Sequence, residues 1–123
     1  MATLANRVYD NGLTVLDTEA NRVDICSSEP STYTAATSTD TLGNTTSISI
    51  SAPTDGDTSG RKVTLSAISG ASVTATGTAT HYAITDTSNT RLLVTGSLSS
   101  FQAVTSGNTF SLTAVDVEIP DPA

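Results

Sequence analysis

The chain has 123 residues and a formal net charge of −7, and its 24 Thr and 17 Ser make one residue in three a small hydroxyl side chain. This length is enough for one domain, and the 26 Ile, Leu, Val and Phe residues are enough for a modest core. The five basic residues are scattered among twelve acidic ones, which disfavours nucleic acid and membranes as partners. No apolar run approaches the roughly 20 residues that cross a membrane.

Composition predicts an all-β fold. Thr, Val and Ile make up 39 residues, and their branched side chains suit pleated strands, whereas Lys, Glu, Gln and Met are scarce. Turn signals recur about every 9 to 18 residues, which leaves no room for the helical crossovers that parallel strands need. We therefore predict a single antiparallel β-sandwich or jelly-roll-like domain with a short N-terminal helix or arm.

The N-terminal segment has a different pattern. Leu4 and Val8 stand four residues apart, which is typical of one helix face. Gly12 after Asn11 can adopt the left-handed backbone that ends many helices. These features predict a short helix over Ala2–Asp10 that stops at this point, and a hairpin turn at Asn11-Gly12 is the alternative.

Alternation of apolar and polar residues predicts strands at Thr46–Ser51, Arg61–Ala67 and Thr109–Ala114. Val63 to Val73 is typical of one hairpin, and Leu93 to Leu112 of a pair of further strands. Turn residues separate the segments at 53–60, 69–70, 86–89, 96–100 and 106–108. The Ser- and Thr-dense stretch from Ser31 to Thr46 predicts a long loop or a ragged edge strand.

The apolar positions change phase near Ala114 and Val115. Either a β-bulge lies there, or the chain crosses to a second sheet or subunit. Pro120 and Pro122 cannot continue a β ladder, so we expect a free tail or an arm laid on a neighbour. The predicted organisation is an N-terminal arm or short helix over 1–20, an antiparallel β domain over 21–119 and a C-terminal tail over 120–123.

Two residues invite a catalytic interpretation, and both have a plainer one. His81 is the only histidine, and no Gly-x-Ser-x-Gly elbow accompanies it, so we expect a half-buried histidine that is hydrogen-bonded to backbone or hydroxyl groups. Cys26 is the only cysteine, and no His or Lys is near it in sequence, so we expect a packed or half-exposed thiol. We expect no enzymatic activity, and we assign no catalytic residue and no cofactor.

Two acidic clusters suggest binding sites. Asp55-Gly56-Asp57 could ligate calcium, but the spacing of a known calcium loop is absent, and a solvated turn is favoured. Asp116 and Glu118 lie on one face of a strand, which is typical of a charged edge that prevents stray pairing. We therefore assign no metal ligands.

Sugar binding is poorly supported by the aromatic residues. Trp is absent, and Phe110 and Tyr82 are needed for the core. A glycan-binding module stays open as an alternative.

Three segments resemble those of small proteins encoded among the virion genes of tailed bacteriophages. They are Tyr9–Arg22 (YDNGLTVLDTEANR), Thr74–Ala83 (TATGTATHYA) and Ala103–Phe110 (AVTSGNTF). The resemblance implies a structural virion protein, a head decoration or cement protein bound outside the major capsid shell, where such proteins commonly form trimers. A tail-associated or receptor- or glycan-binding module of a phage is the alternative.

This resemblance implies a location and a set of partners. The protein would be made in the host bacterial cytoplasm and placed on the outer surface of the virion capsid, with the major capsid protein and further copies of itself as partners. Contact with either requires apolar anchors. Because the N-terminal segment has apolar residues without a place in the strand pattern, we assign that role to Leu4, Val8, Leu13, Val15 and Leu16.

Overall fold

A computed structural model describes residues 5–121. In chain order its elements are α1 (Asn6–Glu19), β1 (Arg22–Cys26), a π-helical turn (Ala35–Thr39), β2 (Thr41–Thr45), β3 (Thr54–Asp55), β4 (Arg61–Leu65), β5 (Ile68–Val73), β6 (Gly77–Asp86), β7 (Arg91–Val104), β8 (Thr109–Leu112) and β9 (Val115–Ile119). All strand pairs are antiparallel. The predicted class, an antiparallel β fold of the sandwich type with a short N-terminal helix, is confirmed.

The chain forms two compact units, and both are discontinuous in sequence. The first, the helical unit, contains Met1–Glu19, Ser49–Ala67 and Thr113–Ala123. The second, the β unit, contains Ala20–Ile48 and Ile68–Leu112. The continuous division predicted at residues 20 and 119 differs from this arrangement, because the N-terminal segment belongs with strands from the middle and the end of the chain.

The helical unit consists of α1 and a three-stranded sheet in the order β3-β4-β9. Helix α1 packs on β4. Its buried residues are Tyr9, Leu13 and Leu16, whose spacing places them on one helix face. Opposite them, Val63 and Leu65 alternate with polar residues along β4 and are also buried.

The β unit consists of one six-stranded sheet in the order β7-β6-β1-β2-β5-β8. The sheet curls far enough for the side chain of Gln102 on one edge strand to donate a hydrogen bond of 2.9 Å to the Ser111 carbonyl oxygen on the other. On one side of β1 and β6, the π-helical turn places Ala36 against Cys26 and Ala83. These two strands are therefore buried on both faces along much of their length.

The prediction that the N-terminal helix stops at Asn11-Gly12 is wrong, and so is the hairpin alternative. Helix α1 continues through Gly12 to Glu19. A glycine inside a helix costs about 1 kcal/mol relative to alanine. Burial of Leu13 and Leu16, which follow it, outweighs that cost.

Several predicted loops and pairings are also corrected. β4 and β5 lie in different sheets, so the segment from Val63 to Val73 is not a hairpin. The stretch from Ser31 to Thr46 is neither a loop nor an edge, because it contains the π-helical turn and β2, which lies between β1 and β5. Thr46–Ser51 forms only an isolated bridge, between Ile50 and Leu65. The turn signal at residues 96–100 lies inside β7, where the ladder to β6 shifts.

The two strands predicted between Leu93 and Leu112 are present as β7 and β8. The change of phase after Ala114 marks a crossing between sheets, as one alternative predicted. β8 is the last strand of the six-stranded sheet, and β9 belongs to the three-stranded one.

The chain after β9 is held by hydrogen bonds up to Asp121, the last described residue. The Tyr9 hydroxyl donates a hydrogen bond of 2.6 Å to Asp121 Oδ1, and the Asp121 amide donates one of 3.1 Å to Ser59 Oγ. The predicted free tail, or arm on a neighbour, is therefore replaced up to Asp121 by contacts within the same unit. The rest of the tail lies outside the described residues.

Candidate functional site

Helix α1 exposes two large apolar side chains. Val8 is 56% exposed and Val15 is 37% exposed, while Leu13 between them is 2% exposed. Because residues 8 and 15 are separated by about two helical turns, they lie on the same side of the helix, next to its buried face. The helix therefore presents apolar surface to solvent as well as to its own sheet.

Gly12 lies between these two exposed residues and an exposed residue of the sheet, Ile119. It lies on the same side of the helix as Val8 and Val15, and a Cβ atom placed on it would stand 3.8 Å from Ile119 Cδ1 of β9. Ile119 is itself 37% exposed. We refer to Val8, Gly12, Val15 and Ile119 as the helix patch, and it holds three of the four exposed large apolar side chains found within residues 5–121. A group of this kind is more informative than single exposed residues.

The structure divides the five predicted contact residues. Val8 and Val15 are exposed on the helix patch. Leu13 and Leu16 are buried against the sheet, so neither is available to a partner while the helical unit is folded. Leu4 lies outside the described residues. Sequence reasoning missed Ile119, which joins the patch only because folding brings it close to Gly12 of the helix.

Charged side chains hold the helix and its sheet together. Arg61 on β4 makes a contact of 2.8 Å to Asp10 of α1 and one of 2.7 Å to Asp55 of β3. The hydrogen bond to Asp10, followed by the one to Asp55, raises the pKa of Arg61. The position of the patch relative to the sheet is thus fixed by an ion pair as well as by packing.

The acidic residues Asp55 and Asp57 contact basic side chains of strand β4. Lys62 Nζ lies 2.6 Å from Asp57 Oδ1 and 3.2 Å from Asp116 Oδ2, and the Thr64 hydroxyl donates a hydrogen bond of 2.7 Å to Asp116 Oδ1. The hydrogen bond from Thr64, and then the one from Lys62, lowers the pKa of Asp116. Within residues 5–121, no three His, Cys, Asp or Glu side chains are grouped to hold a metal ion. Asp116 and Glu118 lie on β9, an edge strand, in agreement with the charged-edge interpretation.

His81 has the surroundings that the sequence predicted. Its Nδ1 lies 2.8 Å from Thr80 Oγ1, its Nε2 lies 3.4 Å from Ser97 Oγ, and its side chain is half-buried. The carboxylate of Glu29 lies 3.7 Å from Nε2, on the same nitrogen as Ser97. In a Ser-His-Asp triad the serine and the carboxylate lie at opposite nitrogens of the histidine, whereas Ser97 and Glu29 both lie at Nε2.

Cys26 is a packed thiol, which is one of the two states predicted for it. The side chain is buried, and its Sγ donates a weak hydrogen bond of 3.7 Å to the Ala36 carbonyl oxygen. Burial, aided by the charge of Asp24, raises the pKa of Cys26 to about 12.

This pKa predicts a thiol that is inert in the folded protein. At pH 8 the thiolate fraction of Cys26 is about a thousandfold lower than that of a thiol with the usual pKa. Because the thiolate is the reactive form, Cys26 should react correspondingly more slowly. We expect iodoacetamide to modify Cys26 at least about a hundredfold more slowly in the native chain than in urea. Mass spectrometry of timed samples measures both rates, and equal rates would contradict the burial of this residue.

The aromatic residues are distributed as predicted for the core. Phe110 and Tyr82 are buried, and so is Tyr9. Phe101 on β7 is the exception, at 65% exposed. It is the one large apolar side chain of the β unit, within its described residues, that is exposed to solvent.

A buried charge in the β unit was not foreseen from the sequence. Asp24 on β1 is 0% exposed, and Arg22 contacts its two carboxylate oxygens at 2.7 and 2.8 Å. The Thr41 hydroxyl donates a third hydrogen bond to Asp24, of 2.7 Å. The same guanidinium reaches the Thr37 carbonyl oxygen at 3.4 Å, so the network links β1, β2 and the π-helical turn. Each partner is satisfied, which indicates a structural role.

The described part of the chain, residues 5–121, contains no helix with the length and apolar character needed to span a membrane. In comparisons with known proteins, the chain matches no family model, no curated protein and no solved structure.

Proposed function

We propose that this protein is a structural virion component, a head decoration or cement protein that binds the outside of a phage capsid shell and stabilises it. The partner is the major capsid protein, and the role is one of binding rather than catalysis. The resemblance of three sequence segments to phage virion proteins suggests the class. The observation that carries the proposal is the helix patch, which gives an acidic, hydroxyl-rich chain an apolar surface for binding another protein.

The helix patch has the properties that such a contact needs. Burying a Val or Ile side chain completely contributes about 1.5–3 kcal/mol, and these side chains are already partly covered, so the patch supplies on the order of 2–4 kcal/mol per copy. Association costs about 4–15 kcal/mol of translational and rotational freedom, so the patch supplies part of the energy of a larger contact, and that part is repeated at every site. Because Arg61 and Asp10 hold the helix on its sheet, little ordering cost opposes binding.

Binding to particles that lack this protein tests the proposal. Val8→Asp and Val15→Asp each place a charge in the helix patch, and we expect the dissociation constant for particles to rise at least about tenfold, since a buried unpaired charge is costly. Ser47→Asp is the matched control, because Ser47 is exposed in the β unit, outside the helix patch, and the variant adds the same charge. Sedimentation of particles with labelled protein measures binding.

Two results would overturn the proposal. One is the absence of wild-type protein from the outer shell in cryo-electron microscopy of purified particles. The other is equal binding of Val8→Asp and the wild type to depleted particles. Circular dichroism of each variant ensures that a loss of binding is not a loss of folding.

Phe101 favours a second candidate, a tail-associated or receptor- or glycan-binding module. An exposed aromatic ring can stack on the apolar face of a sugar, and Phe101 lies on the surface of the β unit. This function predicts a few copies per particle at the tail, and loss of binding to host cells in Phe101→Ala. The copy number from the same micrographs separates the two candidates.

A further inference from the structure

The outer edge of β9 has no strand beside it among residues 5–121. The sheet order is β3-β4-β9, so β9 pairs with β4 on one side only. Val63 and Leu65 of β4 are each 1% exposed, whereas Val117 and Val115, their partners on β9, are partly exposed and Ile119 is 37% exposed. The apolar face of this sheet therefore continues beyond its covered part to an open edge.

The helix patch lies on the side of α1 that faces this edge. A Cβ atom placed on Gly12 would stand 3.8 Å from Ile119 Cδ1 of β9. Asp10, on the opposite side of the helix, contacts Arg61, whose guanidinium also contacts Asp55 of β3. The helix patch and the outer edge of β9 therefore form two walls of one open space, which we call the edge groove.

Gly12 keeps the edge groove wide. Its backbone is helical, and a Cβ atom placed on it would meet no atom outside its own helix closer than 3.8 Å. Nothing among the described residues therefore requires a glycine here, although a glycine inside a helix is destabilising relative to alanine. The missing side chain leaves room between Val8 and Val15 for a side chain from another molecule, and close approach is one of the uses of glycine.

The backbone of β9 offers hydrogen-bonding groups along the edge groove. The Thr64 carbonyl oxygen accepts a hydrogen bond from the Ser51 amide, and the Thr64 amide donates one of 3.0 Å to Ser51 Oγ, so Thr64 directs both groups away from β9. In an antiparallel ladder, opposite residues exchange either both hydrogen bonds or neither. Asp116, opposite Thr64, and Glu118, two residues later, therefore direct their amide and carbonyl groups towards the open edge. No backbone hydrogen bond within residues 5–121 involves these groups.

The charges around the edge groove indicate which kind of segment fits it. The helical unit contains eight acidic and three basic residues, a net charge of −5, and two of the basic residues, Arg61 and Lys62, already make ion pairs within the unit. On β9, Asp116 and Glu118 alternate with the apolar residues and face away from the helix. A strand added at this edge meets carboxylates on one face and the helix patch on the other. A segment with basic residues on one face and apolar residues on the other is complementary to both.

We propose that the capsid shell partner binds the edge groove by strand addition, through an extended segment in which Lys or Arg residues alternate with apolar ones. The segment pairs with the backbone of Asp116 and Glu118, and its apolar side chains pack against Val8, Gly12 and Val15. The two carboxylates disfavour pairing with an acidic strand, and the same charges select a basic one. This inference rests on the proposed function and extends it, because it assigns the conformation and the charge of the segment that is bound.

Binding to particles that lack this protein tests the inference at Glu118. Glu118→Pro removes the outward amide, which β4 does not use, and an edge strand tolerates proline at such a position. Glu118→Ala is the matched control, since it removes the same charge and keeps the amide. We expect the dissociation constant of Glu118→Pro for particles to be at least about tenfold higher than that of Glu118→Ala, because the proline ring blocks the added strand and a main-chain hydrogen bond is lost. Circular dichroism of both variants checks that they fold.

Hydrogen exchange of the wild type gives a second measurement that needs no substitution. In the free chain the amides of Val115, Val117 and Ile119, which face β4, should exchange slowly, and those of Asp116 and Glu118 should exchange fast. On particles we expect the amides of Asp116 and Glu118 to exchange at least about tenfold more slowly, so that the alternation along β9 is lost. Nuclear magnetic resonance after release from the particles measures each amide.

The inference is overturned if the wild type binds particles and Glu118→Pro binds as tightly as Glu118→Ala, or if the amides of Asp116 and Glu118 still exchange fast on the particle. Either result leaves the proposed binding to the capsid shell intact, because Val8→Asp tests that binding separately. Salt should weaken binding, since it screens the attraction between β9 and a basic segment, and binding that is independent of salt would also contradict the inference. Absence of any wild-type binding would overturn the proposed function and this inference together.

Discussion

Replacing Arg22 by Met is expected to lower the free energy of unfolding of the β unit by about 3 kcal/mol. The substitution keeps most of the side-chain volume but removes both hydrogen bonds that the guanidinium makes to the carboxylate of Asp24. Asp24 is 0% exposed, so the remaining charge has only the Thr41 hydroxyl as a side-chain partner. An uncompensated buried charge costs more than the intact pair contributes.

Two further variants separate the charge from the packing. In Arg22→Met/Asp24→Asn the buried group is neutral, so part of the lost stability should return. Arg91→Met makes the same change at an exposed position, where we expect the free energy of unfolding to fall by about 1 kcal/mol or less. Urea unfolding measures each value, and hydrogen exchange locates the effect. Equal losses at Arg22 and Arg91 would contradict the buried network.

The second large effect is expected at Leu13. Leu13→Ala removes a side chain that is 2% exposed from the contact between α1 and its sheet, and it leaves a cavity. Substitutions of this kind cost about 2–5 kcal/mol, and we expect about 3 kcal/mol for the helical unit. Hydrogen exchange should show the amides of α1 losing protection first, because the helix is then held mainly by Tyr9, Leu16 and the Asp10–Arg61 pair.

Val8→Ala is the matched variant on the same helix. Val8 is 56% exposed, so its removal should change the free energy of unfolding by less than about 0.5 kcal/mol. If the proposed function holds, the same variant weakens binding to capsid particles. If Leu13→Ala were as mild as Val8→Ala, the face of the helix assigned to the core would be wrong.

The sequence alone did not distinguish the exposed Val8 from the buried Leu13. Val8 and Leu13 were assigned the same contact role, because both are apolar residues without a place in the strand pattern. Only the direction in which the helix faces its sheet separates them, and that direction depends on β4, which follows some fifty residues later. The helix itself was predicted, but its C-terminal end was not. The local sequence at Gly12 does not reveal that Leu16, four residues later, is buried against the sheet.

The burial of Asp24 is a second feature that the sequence did not predict. Alternation along β1 gave no reason for an aspartate to be buried, and the network with Arg22 and Thr41 exists because β2 pairs with β1 and the π-helical turn covers both. The same turn buries Cys26 and thereby decides between the packed and the half-exposed thiol, which the sequence left open.

The sequence by itself determined the class of fold, two of the three strands predicted from alternation and the hydroxyl-bonded state of His81. Each of these depends on residue type or on neighbours close in the chain, such as Thr80 beside His81. Only the tertiary structure decided that β4 and β5 belong to different sheets, that β9 returns to α1 and that Ile119 joins the helix patch. Those features depend on pairing between distant segments, where burial outweighs local turn and helix-end preferences of about 1 kcal/mol.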